Sequence, residues 1–96
     1  MGSISVQIFK SNAAISANTK SSFWVWKNAP QNSVFTFSAV PTGGDNPPNQ
    51  FYGLEVTDVG YYQIVGFENK REVRFKVNNP NPFKVTYDIH MSIASP

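Results

Sequence analysis

Apolar and polar residues alternate with a period of two along most of the chain. Ile4, Val6 and Ile8 alternate with Ser3, Ser5 and Gln7, and Val73, Phe75 and Val77 with Glu72, Arg74 and Lys76. Val85, Tyr87, Ile89, Met91 and Ile93 alternate with Thr86, Asp88, His90 and Ser92. Successive side chains of a strand point to opposite faces, so this pattern, in segments rich in Val, Ile, Phe and Tyr, predicts strands. Seven are expected, over 3–10, 20–27, 33–40, 53–59, 61–67, 71–78 and 83–93. Turns are expected at 28–32 (NAPQN), within 41–50 (PTGGDNPPNQ), at Gly60 and at 79–82 (NPNP), where Pro, Gly and Asn supply turn geometry. No eleven-residue window carries a helical stripe, and prolines at 30, 41, 47, 48, 80 and 82 interrupt any attempt at one. The expected fold is a single all-β domain over 1–96. Its architecture is an antiparallel β-sandwich of about seven strands, immunoglobulin-like in arrangement, with a small β-barrel as the alternative.

The last two strands are expected to pair as a hairpin. Setting Val77 opposite Phe83 brings Lys76 against Lys84 and Glu72 against Asp88, whereas a slide of two residues sets Arg74 opposite Asp88 and Glu72 opposite His90. Cross-strand pairs are worth a few tenths to about 1 kcal/mol each, so the second register is favoured. The run VNNPNPFKVTYDIHMSI resembles the closing hairpin of small immunoglobulin-like domains. That resemblance covers the last quarter of the chain and implies the fold alone.

The stretch KSSFWVWKNAP, residues 20–30, does not alternate. Phe23, Trp24, Val25 and Trp26 are all large and apolar, and a strand turns only half of them inward. Lys20 and Ser22 share a parity with Trp24 and Trp26. This reading therefore turns Phe23 and Val25 into the core and the two tryptophans outward.

Composition narrows the chemistry. There are no cysteines, which excludes disulfides, thiol nucleophiles and thiolate metal sites. Eight basic residues face six acidic ones. Lys70, Arg71, Arg74 and Lys76 are interleaved with Glu68 and Glu72, so no basic groove forms and nucleic acid is disfavoured as a partner. No apolar run reaches the length of a membrane span, and the N-terminus lacks the basic and apolar regions of a signal peptide, leaving the cytoplasm as the default expectation.

Catalytic constellations are weak. Asp88, His90 and Ser92 sit on one face of a strand, but residues two apart stand roughly 6.5–7 Å from each other, beyond hydrogen-bonding reach. His90 is the one histidine, so a zinc site would need carboxylates for every other ligand. Asp45, Asn46 and Asp58 could offer oxygens to calcium, yet they lack a calcium-loop spacing and read as Asx turns. The expectation is no catalytic residue, no metal, no cofactor and no enzyme.

The aromatic load, eight Phe, four Tyr and two Trp, is the remaining signal. Phe35, Phe37, Phe75 and Tyr87 fill a core of this size together with the aliphatics. Trp24, Trp26, Phe51, Tyr52, Tyr61 and Tyr62 are left over, and each buries roughly 150–250 Å² when packed. They could lie under the 41–50 loop, form a homo-oligomer interface, or stand as a stacking platform for a ligand. Pyranose rings present an apolar C–H face, and the loops flanking these aromatics carry neutral amides at Asn28, Gln31, Asn32, Asn46, Asn49 and Gln50. The reading is a carbohydrate-binding, lectin-like module contacting its glycan through Trp24, Trp26, Tyr52, Tyr61, Asn28 and Asn49. The alternative is a structural protein that self-assembles through the same aromatics.

Overall fold

A computed structural model describes residues 2–30, 33–44, 51–64 and 67–95. The described residues form six strands and no helix: β1 (Ser3–Ile15), β2 (Lys20–Lys27), β3 (Val34–Gly44), β4 (Glu55–Ile64), β5 (Phe67–Asn78) and β6 (Val85–Ser95). They make two antiparallel three-stranded sheets, ordered β1-β6-β3 and β2-β5-β4. The fold is an all-β, sandwich-like domain of six strands rather than seven. The difference arises around Gly60, which does not turn the chain. Asp58 and Val59 together oppose Phe75 between the pairs Thr57–Lys76 and Gly60–Arg74, so β4 carries a bulge and continues.

The last two strands also depart from expectation. β5 and β6 lie in different sheets, each as the central strand of its own, so Arg74 never meets Asp88. Arg74 instead stands between Val25 and Gly60, and Asp88 beside Val40. The reason is burial. Val73, Phe75 and Val77 on β5 and Val85, Tyr87, Ile89 and Met91 on β6 are almost wholly removed from solvent. Pairing the two strands in one sheet would leave the other sheet without an apolar centre. Placing them in opposed sheets sets the two stripes against each other, worth roughly 1.5–3 kcal/mol per large side chain. Phe35 and Phe37 of β3 and Ala13 and Ile15 of β1 complete the buried set.

The connection from β5 to β6 is a crossing between sheets, and the turn from β1 to β2 crosses at the same place. Asn79, 1% exposed, holds the two crossings together. Its Nδ2 lies 2.9 Å from the carbonyl of Phe83, 3.0 Å from that of Ser16 and 3.3 Å from that of Ile15. Its Oδ1 accepts from the backbone N–H and the side-chain amide of Asn81, at 3.0 and 2.8 Å. Two backbone bonds run alongside, Asn79 N–H to the Thr19 carbonyl at 2.8 Å and Asn18 N–H to the Asn81 carbonyl at 2.9 Å. A buried amide with every polar atom partnered costs nothing extra to desolvate, and removing it strands its acceptors. Replacing Asn79 with Ala is expected to lower stability by roughly 2–4 kcal/mol, read by urea unfolding. Pro80→Ala, at an exposed neighbour, is the comparison and is expected to change little.

Candidate functional site

The aromatic stretch of β2 resolves opposite to the sequence expectation. Trp24 pairs with Phe75 and Trp26 with Val73, both on the inward face of β5, and both tryptophans pack against the core. Phe9 of β1 meets Trp24, Trp26, Phe37 and Phe75 edge-on, with ring centroids 5.7 to 6.4 Å apart. Trp24 lies parallel to Phe75 at 6.4 Å, and Trp26 stands edge-on to Phe35 at 4.9 Å. Phe23 and Val25 point outward, and Phe23 is 57% exposed. A bulge causes the reversal. Lys20 pairs with Asn78 but Ser22 with Val77, so Ser21 is an extra residue and the parity of Lys20 does not carry through to Trp24. Lys27, on the far side and with no bulge between, shares its face with Phe23 and Val25; that was the usable signal.

The other expected contacts are scattered. Tyr61 sits at the seam between sheets, its hydroxyl accepting from Phe35 N–H at 2.7 Å and 3.3 Å from the Phe35 carbonyl. The Arg71 guanidinium covers its ring at 4.3 Å. Tyr52 packs edge-on against Phe83, centroids 5.7 Å apart. Asn28 is exposed in the left-handed conformation, φ 58°, in the turn that ends β2. Asn49 lies outside the described residues, as do Gln31, Asn32, Asp45, Asn46 and Gln50 from the flanking loops. Among the described residues of the expected set, Trp24 and Trp26 turn inward while Tyr52, Tyr61 and Asn28 lie apart.

A different set is gathered on the outer face of β2-β5-β4. Lys76 stands between Phe23 and Thr57, and Arg74 between Val25 and Gly60. Tyr62, 47% exposed, lies over Gly60: a Cβ at that glycine would come within 2.9 Å of its ring. The Arg74 guanidinium covers the same ring at 4.2 Å and pairs with Glu72 at 3.1 Å. Lys76 Nζ is 3.5 Å from Asp58 Oδ2. Phe23, Tyr62, Arg74, Lys76 and Asp58 border a shallow cleft of about 520 Å³.

Asp58 also borders a second cleft, of about 430 Å³, at the Asn79 end of the same face. Polar residues border it: Lys20, Ser21, Glu55, Thr57 and Asn78 take part, with Asn78 donating to the Thr57 hydroxyl at 3.2 Å. Two bulges shape this groove, one at Ser21 with φ 111° and one at Asp58 with φ 55°. An Asp tolerates that conformation, whereas a Ser at φ 111° stores strain of about 1–3 kcal/mol. Bulges re-aim neighbouring side chains, and here they open the edges of the sheet around Lys76 and Asn78.

No match was found among protein-family models, curated proteins or solved structures. Two cations at the centre of the outer β2-β5-β4 face have a carboxylate within reach, Arg74 with Glu72 and Lys76 with Asp58. This part of the face offers donors and acceptors side by side, with Lys20 and Lys27 towards the ends of β2. The outer face of β1-β6-β3 is plainer. There Asp88 accepts from Asn12 N–H at 2.9 Å, and the Ser92 hydroxyl bonds that of Thr36, so Asp88 and Ser92 are engaged with neighbouring strands. Among the described residues, no three of His, Asp and Glu cluster as a metal site, and no helix is long and apolar enough to cross a membrane.

The reversed faces of β2 give a direct test. Trp24→Ala and Trp26→Ala are each expected to lower stability by roughly 2–4 kcal/mol in urea unfolding, somewhat below the cost for a wholly buried ring. Phe23→Ala should change it by under about 0.5 kcal/mol, as for other surface positions. Equal losses at positions 23 and 24 would contradict the orientation described.

Proposed function

We propose that this chain is a non-catalytic binding module that takes a carbohydrate along the outer face of β2-β5-β4. The observation that carries the reading is the exposed Phe23 ring beside a cleft lined by Lys76, Asp58 and Arg74, in which Lys76 is matched by Asp58 and Arg74 by Glu72 next to the cleft. A sugar hydroxyl both donates and accepts, so adjacent carboxylate and ammonium or guanidinium groups serve it together. The apolar face of a pyranose ring then covers Phe23, removing its exposed area from water. A nucleic-acid strand needs unmatched cations along its backbone, and the pairing of Arg74 and Lys76 works against that. The second cleft, reached past Asp58, gives room for more than one sugar unit.

We read the architecture as immunoglobulin-like in its pairing. The orders β2-β5-β4 and β3-β6 follow the B-E-D and C-F pairings of that fold, and β1 occupies the edge where a seventh strand would lie.

A glycan array followed by isothermal titration calorimetry tests the function. Phe23→Ala and Asp58→Asn are each expected to weaken binding of the captured glycan at least tenfold, about 1.4 kcal/mol, while thermal unfolding stays close to that of the parent. Gly60→Ala, which displaces the Tyr62 ring, is expected to weaken it as well. Capture of no glycan, or binding indifferent to Phe23 and Asp58, would rule the reading out.

A further inference from the structure

Strand edges expose unpaired N–H and C=O groups, and proteins blunt them with charges, prolines or bulges. The four edges of this domain can be compared on that basis. β2 carries Lys20, Lys27 and the bulge at Ser21; β3 carries Pro41 and a bulge at Thr42; β4 carries Glu55, Asp58 and its own bulge. The second half of β1 is treated likewise, with Lys10, two register shifts and Asn12 at φ 58°. Two uncharged runs remain, Val34–Val40 of β3 and residues 3–8 of β1. Along the first, the Tyr61 hydroxyl engages the Phe35 N–H and lies near its carbonyl. Residues 3–8 have no such cover among the described residues. They pair with β6 in unbroken register from Ser3–Ser95 to Ile8–His90, and they contain neither charge nor proline. All six are exposed, and among the described residues no strand lies along their other edge.

The side chains of this segment add a second observation. Ile4, Val6 and Ile8 oppose Ala94, Ser92 and His90, so they stand on the outer face of the sheet, 77%, 69% and 56% exposed. The segment Ile4-Ser5-Val6-Gln7-Ile8 reads the same in apolar and polar pattern from either end. Antiparallel pairing about Val6 would set each copy's Ile4 beside the other's Ile8, the two Val6 residues opposite each other, and Ser5 beside Gln7. Apolar then meets apolar and polar meets polar on every pair, and the three exposed side chains of each copy become one six-membered apolar patch. An edge of another sequence would satisfy the backbone equally well but would not match this pattern from both directions.

We propose that residues 4–8 of β1 pair antiparallel with the same residues of a second copy of the chain, joining two three-stranded sheets into one of six strands about a two-fold axis at Val6. The occupant follows from the two-way symmetry of the segment, since an isologous interface requires that a surface complement itself. A contact of five residues per copy is smaller than a standard stable interface, so the dimer exchanges with monomer.

Sedimentation velocity and equilibrium on the whole chain test this across micromolar to millimolar concentration. The weight-average mass is expected to rise from 10.7 kDa towards twice that value and to stop there. Val6→Lys and Val6→Glu should each remain monomeric over the same range, because like charges then face each other on the axis. Their equimolar mixture should recover the dimer, since Lys then opposes Glu. Thermal unfolding at low concentration should be unchanged in both variants, Val6 being exposed. A parent chain monomeric throughout would overturn the proposal, and so would a Val6→Lys variant that associates as the parent does. A mixture that fails to associate would overturn the two-fold at Val6, and growth beyond a dimer would show open-ended assembly instead.

Discussion

The carboxamide of Asn79 is the constraint around which the two sheets are set. At one end of the molecule the chain leaves one sheet for the other three times, between β1 and β2, between β3 and β4 and between β5 and β6. The first and last of these crossings expose carbonyls that no strand can satisfy. Asn79 supplies protons to the carbonyls of Ile15, Ser16 and Phe83 while Asn81 caps its oxygen. A polar network of this kind is favourable only when complete, because in a low-dielectric interior each missing partner is costly. The bonds fix where β5 ends and β6 begins, and so hold in place the facing stripes that burial favours. The stacking of Phe75 on Phe37 across the core, the inward turn of the tryptophans and the outward face of β2-β5-β4 all accord with that arrangement.

Much of this was legible in the sequence, and the reasons differ by residue. Phe35, Phe37, Phe75, Tyr87 and Ile89 sit in clean alternation, and each is buried as the period predicts. Thr86 and His90 are half-buried on the opposite face, covered in part by the strands that flank β6. Strand partnership was less legible. Charge matching favoured Arg74 with Asp88, but such pairs contribute tenths of a kcal/mol, whereas placing β5 and β6 in separate sheets buries seven large side chains. Local pairing energies cannot outweigh a burial term of that size.

The candidate site was legible only in its ingredients. An excess of aromatics over what a small core needs was visible, but which rings were in excess was not. Six rings pack together across the sandwich: Phe9, Trp24, Trp26, Phe35, Phe37 and Phe75. The core therefore absorbs both tryptophans and leaves Phe23 and Tyr62 outside. One inserted residue, Ser21, reverses the reading of β2, because parity counted across a bulge is wrong for everything beyond it. Bulges leave little trace in composition. Ser21 and Asp58 reveal theirs through backbone dihedrals, not through residue type.

The strand order β1-β6-β3 also bears on how the molecule is made. β6 is the last strand of the six in chain order, yet it is the central one of its sheet, so neither β1 nor β3 has its native partner until β6 has been synthesised. In the other sheet, β2, β4 and β5 are all present by residue 78. Topologies dominated by such distant pairings fold slowly, on the order of milliseconds to seconds, because long loops must close before any contact rewards them. On a ribosome the sheet β2-β5-β4 can therefore be completed first. During that interval the apolar faces of β1 and β3 have no partner strand of their own, and the uncharged first half of β1 waits longest of all.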